Sequence, residues 1–201
     1  MKSRRIGLLA AAGGLVALLA ITPLLAIDAE EGKPDRLEPL YPAPSFTMTD
    51  SNGRTFSTDA LKGKVWIADF MFTQCPGICP TMSTQMAKLH RLFADYESVH
   101  FVSITVDPEY DSLEVLTDYA SKFKADTARW HFLRGDMKLV QELSLTGFKL
   151  SALSVPADHS ARFVLVDQVG NIRGYYDSLS DEDVRLLSED IADLLKQAPG
   201  R

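Results

Sequence analysis

A nearly unbroken run of apolar residues from Val65 to Phe72 constrains this fold more than any other feature of the chain. Asp69 is its one interruption, so the run lacks the alternation of a strand with one solvated face. It predicts a strand that is buried on both faces, and such a strand needs helices on both sides of its sheet. The chain is therefore expected to form a layered α/β domain.

The segments around this strand predict the rest of the domain. Further strands are expected at 99–106, 130–133, 163–167 and 172–176. Apolar spacing of three and four residues predicts helices over about 82–93, 115–123, 136–145 and from Ser180 onward. Residues 46–57 predict a leading hairpin with its turn at Asn52-Gly53. Asp111 is predicted to cap the second helix.

The two cysteines lie between the first buried strand and its helix, at positions 75 and 79. With that placement, the order of elements predicts a thioredoxin-like three-layer α/β fold with a mixed central sheet. The leading hairpin is an N-terminal addition to the minimal form of this fold.

An uncharged stretch of 22 residues runs from Ile6 to Ile27, behind Lys2, Arg4 and Arg5. At ~1.5 Å per residue a helix of this length spans ~33 Å, enough to cross the hydrocarbon core of a membrane. Basic residues ahead of the stretch place its short leading side in the cytoplasm, so the domain is expected on the periplasmic side. We interpret residues 1–27 as one transmembrane helix; a cleaved signal peptide and a twin-arginine export signal are the alternatives.

The segment after this helix, residues 28–44, is polar and contains four prolines. It is interpreted as a tether to a single domain at 45–198. Without residues 1–27 the chain has 18 basic residues against 27 acidic ones, a formal charge of −9. Because binding to a polyanion needs basic side chains, nucleic acid is not expected as a partner.

The chemistry is concentrated in Cys75-Pro76-Gly77-Ile78-Cys79-Pro80. Pro80 suits the first turn of a helix, so Cys79 is expected at the helix start, where N–H groups favour a thiolate. Three intervening residues let two thiolates surround one soft ion, Cu(I) before zinc. A plain disulfide and an exported thiol–disulfide oxidoreductase are the alternatives.

Two thiolates alone leave a metal ion under-coordinated, and four histidines are available to complete a site. His90 is interpreted as solvated on the first helix, and His100 and His131 as packed or edge residues of strands. His159 directly precedes the strand at 163, in a loop expected to face the helix start. A histidine in an exposed turn is the alternative there.

Three motifs together resemble the Sco/SenC family of copper-binding, thioredoxin-fold proteins. They are the Cys-x-x-x-Cys loop, Val106-Asp107-Pro108-Glu109, and Asp158-His159-Ser160 ahead of a Phe-Val-Leu-Val-Asp strand. The resemblance covers about residues 40–196 and implies a copper site made by Cys75, Cys79 and His159.

The resemblance also implies a role in assembly of the dinuclear copper centre of cytochrome c oxidase, by copper delivery or thiol reduction. The expected partners are a copper-accepting oxidase subunit or another exported copper protein, an external thiol reductant, and the membrane through the N-terminal helix. Gly77 and Gln74 depart from the family pattern, which often has Asp and His at these positions.

Overall fold

The computed structural model describes residues 36–150 and 160–197. Their strands are β1 (Tyr41–Pro42), β2 (Thr47–Asp50), β3 (Thr55–Ser57), β4 (Val65–Met71), β5 (Val99–Thr105), β6 (Trp130–Arg134), β7 (Arg162–Val166) and β8 (Asn171–Asp177). Their helices are α1 (Cys79–Leu92), α2 (Leu113–Lys122), α3 (Met137–Glu142) and α4 (Asp181–Lys196). The predicted transmembrane helix lies outside these ranges, and within them no helix is long and apolar enough to cross a membrane.

The strands form one mixed sheet in the order β1-β8-β7-β4-β5-β6-β2-β3. The central strands β4, β5 and β6 are parallel, and their neighbours run antiparallel to them. Every residue of β4 is buried. This confirms the prediction drawn from the apolar run, since a central strand with both faces covered has no solvated side.

Aromatic contacts show which helix covers which face of the sheet. On one face the His90 ring of α1 and the Tyr119 ring of α2 pack against Trp130 and Phe132, with centroids 5.6 and 6.2 Å apart respectively. On the other face Phe148 follows α3 and a π-helical turn, and its ring lies 6.1 Å from that of Trp66. Helices on both faces confirm the predicted three layers.

The leading hairpin forms as predicted, with β2 paired to β3. Gly53 adopts a φ of 76° in its turn, a conformation that favours glycine. The Asp50 carboxylate accepts hydrogen bonds from the backbone N–H groups of Asn52 and Arg54 at 2.9 and 2.8 Å. The hairpin extends the sheet through β2, which pairs with β6.

Residues 36–44, the described part of the predicted tether, lie against the domain. Leu37 is buried, and the Arg36 guanidinium binds the Asp190 carboxylate of α4 at 2.5 Å. Tyr41–Pro42 pair with β8 at the edge of the sheet. Ser180 caps α4 as predicted, but Ser112, rather than Asp111, caps α2.

Candidate metal centre

The cysteine loop, residues 72–78, joins the carboxyl end of β4 to the start of α1. Helix α1 begins at Cys79, and Pro80 occupies its first turn, as predicted. Ile78 precedes the helix without a side-chain cap, so no side chain of that residue competes for the first N–H groups. The Cys79 N–H instead donates to the Cys75 sulfur at 3.5 Å. Both cysteines are present as thiols, not as a disulfide.

The surroundings of Cys75 make it the more reactive of the two cysteines. It is half-buried, and this burial raises its pKa. Hydrogen bonds from the backbone of Cys79, Gly77 and Ile78, and from the Cys79 thiol, outweigh that effect. The net result is a pKa below the ordinary value for a cysteine, so Cys75 is the thiol that the helix start activates.

Cys79 has the opposite character, which corrects the prediction that the cysteine at the helix start would be the low-pKa thiol. Its side chain is fully buried, and burial raises its pKa well above the ordinary range. The Cys75 sulfur and the buried Asp69 carboxyl raise it further. The backbone N–H groups at the helix start donate to the Cys75 sulfur instead of to the sulfur of Cys79 itself.

A buried carboxylate connects the cysteine loop to the neighbouring strand. Asp111 is 0% exposed, and the Thr73 backbone N–H donates to it at 3.2 Å. The Thr73 hydroxyl donates to one of its oxygens, and the Thr105 hydroxyl donates to the other at 2.5 Å. Asp111 therefore holds the loop two residues before Cys75 against the end of β5. Sequence analysis missed this role because 38 residues separate the partners.

His159, the third predicted ligand, lies outside the described residues. Its neighbour Ser160 lies two residues before β7, which runs antiparallel to β4 with Val164 opposite Ala68. In this register the start of β7 lies beside the carboxyl end of β4, where the cysteine loop begins. Within the described residues Cys75 and Cys79 are therefore in contact. The chain resumes at Ser160, just ahead of the strand that starts beside the carboxyl end of β4.

The remaining histidines lie elsewhere. His90 is buried in α1 rather than solvated, which corrects the interpretation of its position. His100 and His131 are half-buried residues of adjacent strands and lie close together. Among residues 36–150 and 160–197, no three His, Cys, Asp or Glu side chains are grouped as a metal site.

The family model described as SCO1/SenC matches residues 35–196. The chain belongs to this family. A SCO1/SenC family lipoprotein from Bacillus anthracis is 34% identical, with a TM-score of 0.72 over 79% of this chain and 98% of that one. BsSco, a member of the Sco family of cytochrome c oxidase assembly proteins with a disulfide switch, is 30% identical, with a TM-score of 0.70 over 80% of this chain and 98% of its own.

ScoI of Bradyrhizobium japonicum, solved with copper bound, is 27% identical, with a TM-score of 0.63 over 78% of this chain and 99% of that one. Family membership confirms the resemblance drawn from the three motifs, and the shared structure confirms the thioredoxin-like fold. The copper expected from the cysteine spacing agrees with the copper bound in that relative.

Proposed function

We propose that this protein binds copper through Cys75, Cys79 and His159 and delivers it during assembly of the dinuclear copper centre of cytochrome c oxidase. The observation that carries the proposal is the contact between the two cysteines, in which the Cys79 N–H and thiol both reach the Cys75 sulfur. Two sulfurs side by side in one loop suit a soft ion such as Cu(I). Copper is here the cargo, and the loop is its carrier.

His159 is proposed as the third ligand because of where the described chain resumes. Ser160 follows it directly, and β7 starts beside the carboxyl end of β4. One peptide bond therefore joins His159 to Ser160, which leads into the strand that starts beside the carboxyl end of β4. An imidazole adds a nitrogen donor that suits both oxidation states of copper.

The pKa values of the two thiols indicate the order in which the ligands act. A thiol must lose its proton to bind a metal ion, and the pKa of Cys75 is lowered while that of Cys79 is raised. Cys75 is also the half-buried one, whereas Cys79 is fully buried. We therefore expect Cys75 to bind copper first, with Cys79 following after it loses its proton.

The place of action is proposed from the N-terminal sequence. Residues 1–27 are proposed to anchor the protein in the membrane, with the domain on the periplasmic side. The lipoprotein relative from Bacillus anthracis supports a membrane attachment. Because that compartment is oxidising, an external thiol reductant is needed to keep both cysteines reduced for copper.

A Cu(I) titration of the fully reduced chain, read by competition with a chromogenic chelator, tests the ligand set. One ion is expected at the cysteine loop, and Cys75→Ser or Cys79→Ser should weaken its binding by at least ~100-fold, more than the loss of an outer partner costs. His159→Ala should weaken it by at least ~10-fold, whereas the neighbouring Ser160→Ala should not change it. Binding below one equivalent, or unaffected by His159→Ala, contradicts the proposal.

The second candidate is a thiol–disulfide oxidoreductase, and the unequal thiols favour it. The Cys75 thiolate would attack a client disulfide and release one client thiolate. The Cys79 thiol, after losing its proton, would then displace the second client sulfur and close a Cys75–Cys79 disulfide. The external reductant returns two electrons for each cycle.

Activity of the metal-free chain towards a model disulfide distinguishes the two functions. Reductase turnover that Cys75→Ser abolishes and His159→Ala leaves intact favours the oxidoreductase. Copper binding that depends on all three ligands, without turnover, favours the carrier.

A further inference from the structure

His100 and His131 form a second group of metal-ligating side chains, outside the cysteine loop. Each is the second residue of its strand, β5 and β6 respectively. The parallel register places His131 opposite Val102, so both imidazoles project from the same face of the sheet. His100 Nδ1 lies 3.1 Å from His131 Nε2. We call these two residues the histidine pair.

The two imidazoles meet edge to edge, with a ring N–H of one donating to the ring nitrogen of the other. The ring planes are nearly parallel, at 10°, and the centroids are 5.4 Å apart. The distance between the centroids exceeds the distance between the two nitrogens by about one ring radius on each side. Both nitrogens must therefore lie on the line that joins the two centroids. The hydrogen bond between the two ring nitrogens is therefore straight, with one proton between them.

The surroundings keep both rings neutral and thus able to bind a cation. Burial lowers the pKa of His131 to about 4, and the neighbouring His100 lowers it further. Burial also lowers the pKa of His100, as does the charge of Lys64. Both rings remain half-buried rather than sealed from solvent, so a small ion can reach them.

We propose that the histidine pair is a second metal site, which holds one Cu(I) ion between His100 Nδ1 and His131 Nε2. Imidazole is a good ligand for copper, and Cu(I) is stable with two ligands on a line. Zinc prefers four ligands, and in the described part of the chain no third His, Cys, Asp or Glu joins the pair. The site thus selects a monovalent soft ion, for which Ag(I) is an air-stable substitute.

The rearrangement that binding requires is small. Metal–imidazole bonds are about 2 Å long, so a linear unit spans about 4 Å, and the nitrogens must separate by about 1 Å from their present 3.1 Å. The shared proton moves to the far nitrogen of its ring, so both imidazoles stay neutral. Phe56, whose ring centroid is 4.5 Å from that of His131, belongs to the short edge strand β3 and would move with the His131 ring.

The histidine pair is separate from the cysteine loop. His100 pairs with Trp66 near the amino end of β4, whereas the loop follows the carboxyl end of the same strand. Six residues of strand correspond to about 20 Å. No side chain of one site can therefore ligate an ion held in the other, and each can be tested alone.

The test uses the full chain, without a histidine tag, carrying Cys75→Ser, Cys79→Ser and His159→Ala. This background lacks all three proposed ligands of the first site, so it reports on the histidine pair even if that first proposal fails. Titration with Cu(I) under a chromogenic chelator should show one bound equivalent. Adding His100→Asn or His131→Asn should weaken this binding by at least tenfold.

A second readout keeps the test valid if either variant folds poorly. Addition of Ag(I) to the ¹⁵N-labelled background chain should shift the imidazole nitrogen signals of His100 and His131, and leave those of the buried His90 in place. Unshifted signals from the pair, or one equivalent retained in both asparagine variants, would show that the two rings share a proton only and bind no metal.

Discussion

The cysteine loop and the histidine pair lie at opposite ends of the same parallel strands, and burial acts on their ligands in opposite directions. Burial raises the pKa of a thiol and so keeps it protonated, as at Cys79. Burial lowers the pKa of an imidazole and so keeps it deprotonated, as at His131. A thiolate site therefore needs backbone N–H groups from a helix start, whereas an imidazole site needs only two strands in register.

The sharpest way to break this comparison is to measure the two thiols separately. The chain is reduced, free of metal and held at about pH 7.5. Under these conditions iodoacetamide should modify Cys75 about 1,000-fold faster than Cys79. The physical reason is the lowered pKa and partial exposure of Cys75 against the raised pKa and full burial of Cys79. Mass spectrometry of the two modified sites over time gives both rates. Equal rates would show that the helix start does not distinguish the sulfurs.

Asp111 sharpens the comparison, because this buried carboxylate ties the cysteine loop to the end of β5. Asp111→Ala leaves the Thr73 N–H, the half-buried Thr73 hydroxyl and the buried Thr105 hydroxyl without their acceptor, and should lower the free energy of unfolding by about 3 kcal/mol. Urea denaturation measures this loss. Glu109→Ala, at an exposed position of the same turn, is the control and should change stability by no more than about 0.5 kcal/mol.

The same variant separates positioning from stability. Under native conditions Asp111→Ala should alter the alkylation rate of Cys75, while the imidazole signals of the histidine pair stay unchanged. A stability loss with an unaltered Cys75 rate would mean that Asp111 holds the fold together but does not position the loop.

The histidine end makes a prediction about pH. The pKa of His131 is about 4 in the folded chain and ~6.5 in an unfolded one, so the unfolded state binds more protons between these values. The contribution of His131 to stability is therefore complete above pH ~6.5 and is lost as the pH falls to about 4, by about 3 kcal/mol. His131→Asn should remove this part of the slope.

The measurement is the difference between wild-type and His131→Asn unfolding free energies from pH 4 to pH 7. The difference is used because Asp69 titrates over the same window. Burial raises the pKa of Asp69 to about 7, so the contribution of Asp69 to stability falls as the pH rises, opposite in sign to that of His131. A difference that does not vary with pH would show that His131 titrates normally.

The smallest expected effect concerns Gly77, where many family members have a carboxylate. A Cβ at this position meets no atom within 4 Å, and the residue is exposed, so Gly77→Asp should fold normally. The new negative charge near the Cys75 sulfur should slightly raise the pKa of that thiol, because like charges disfavour the thiolate. The ultraviolet absorbance of the thiolate against pH measures it, with Gly77→Asn as the uncharged control. An equal shift in both variants would assign the effect to the side chain's bulk.

Much of the fold could be predicted from local signals. The apolar run at 65–72, the Asn-Gly turn and Ser180 as a helix cap each act over a few residues, and each is confirmed. The two-residue strand at Tyr41–Pro42 was not predicted, because it is too short to have a period and forms only by pairing with β8. The prediction for His90 is wrong because its basic neighbours in the sequence suggested a solvated face of α1. The His90 ring instead packs against Trp130 of the sheet.

By itself the sequence determined the layered architecture, the place of the cysteine pair at a helix start, and family membership, since these rest on spacing along the chain. Only the tertiary structure decided which cysteine is activated, that Asp111 holds the loop, and that two histidines 31 residues apart share a proton. The physical reason is that burial and hydrogen bonding between distant segments depend on strand register and helix packing. Those quantities exist only once the sheet has formed.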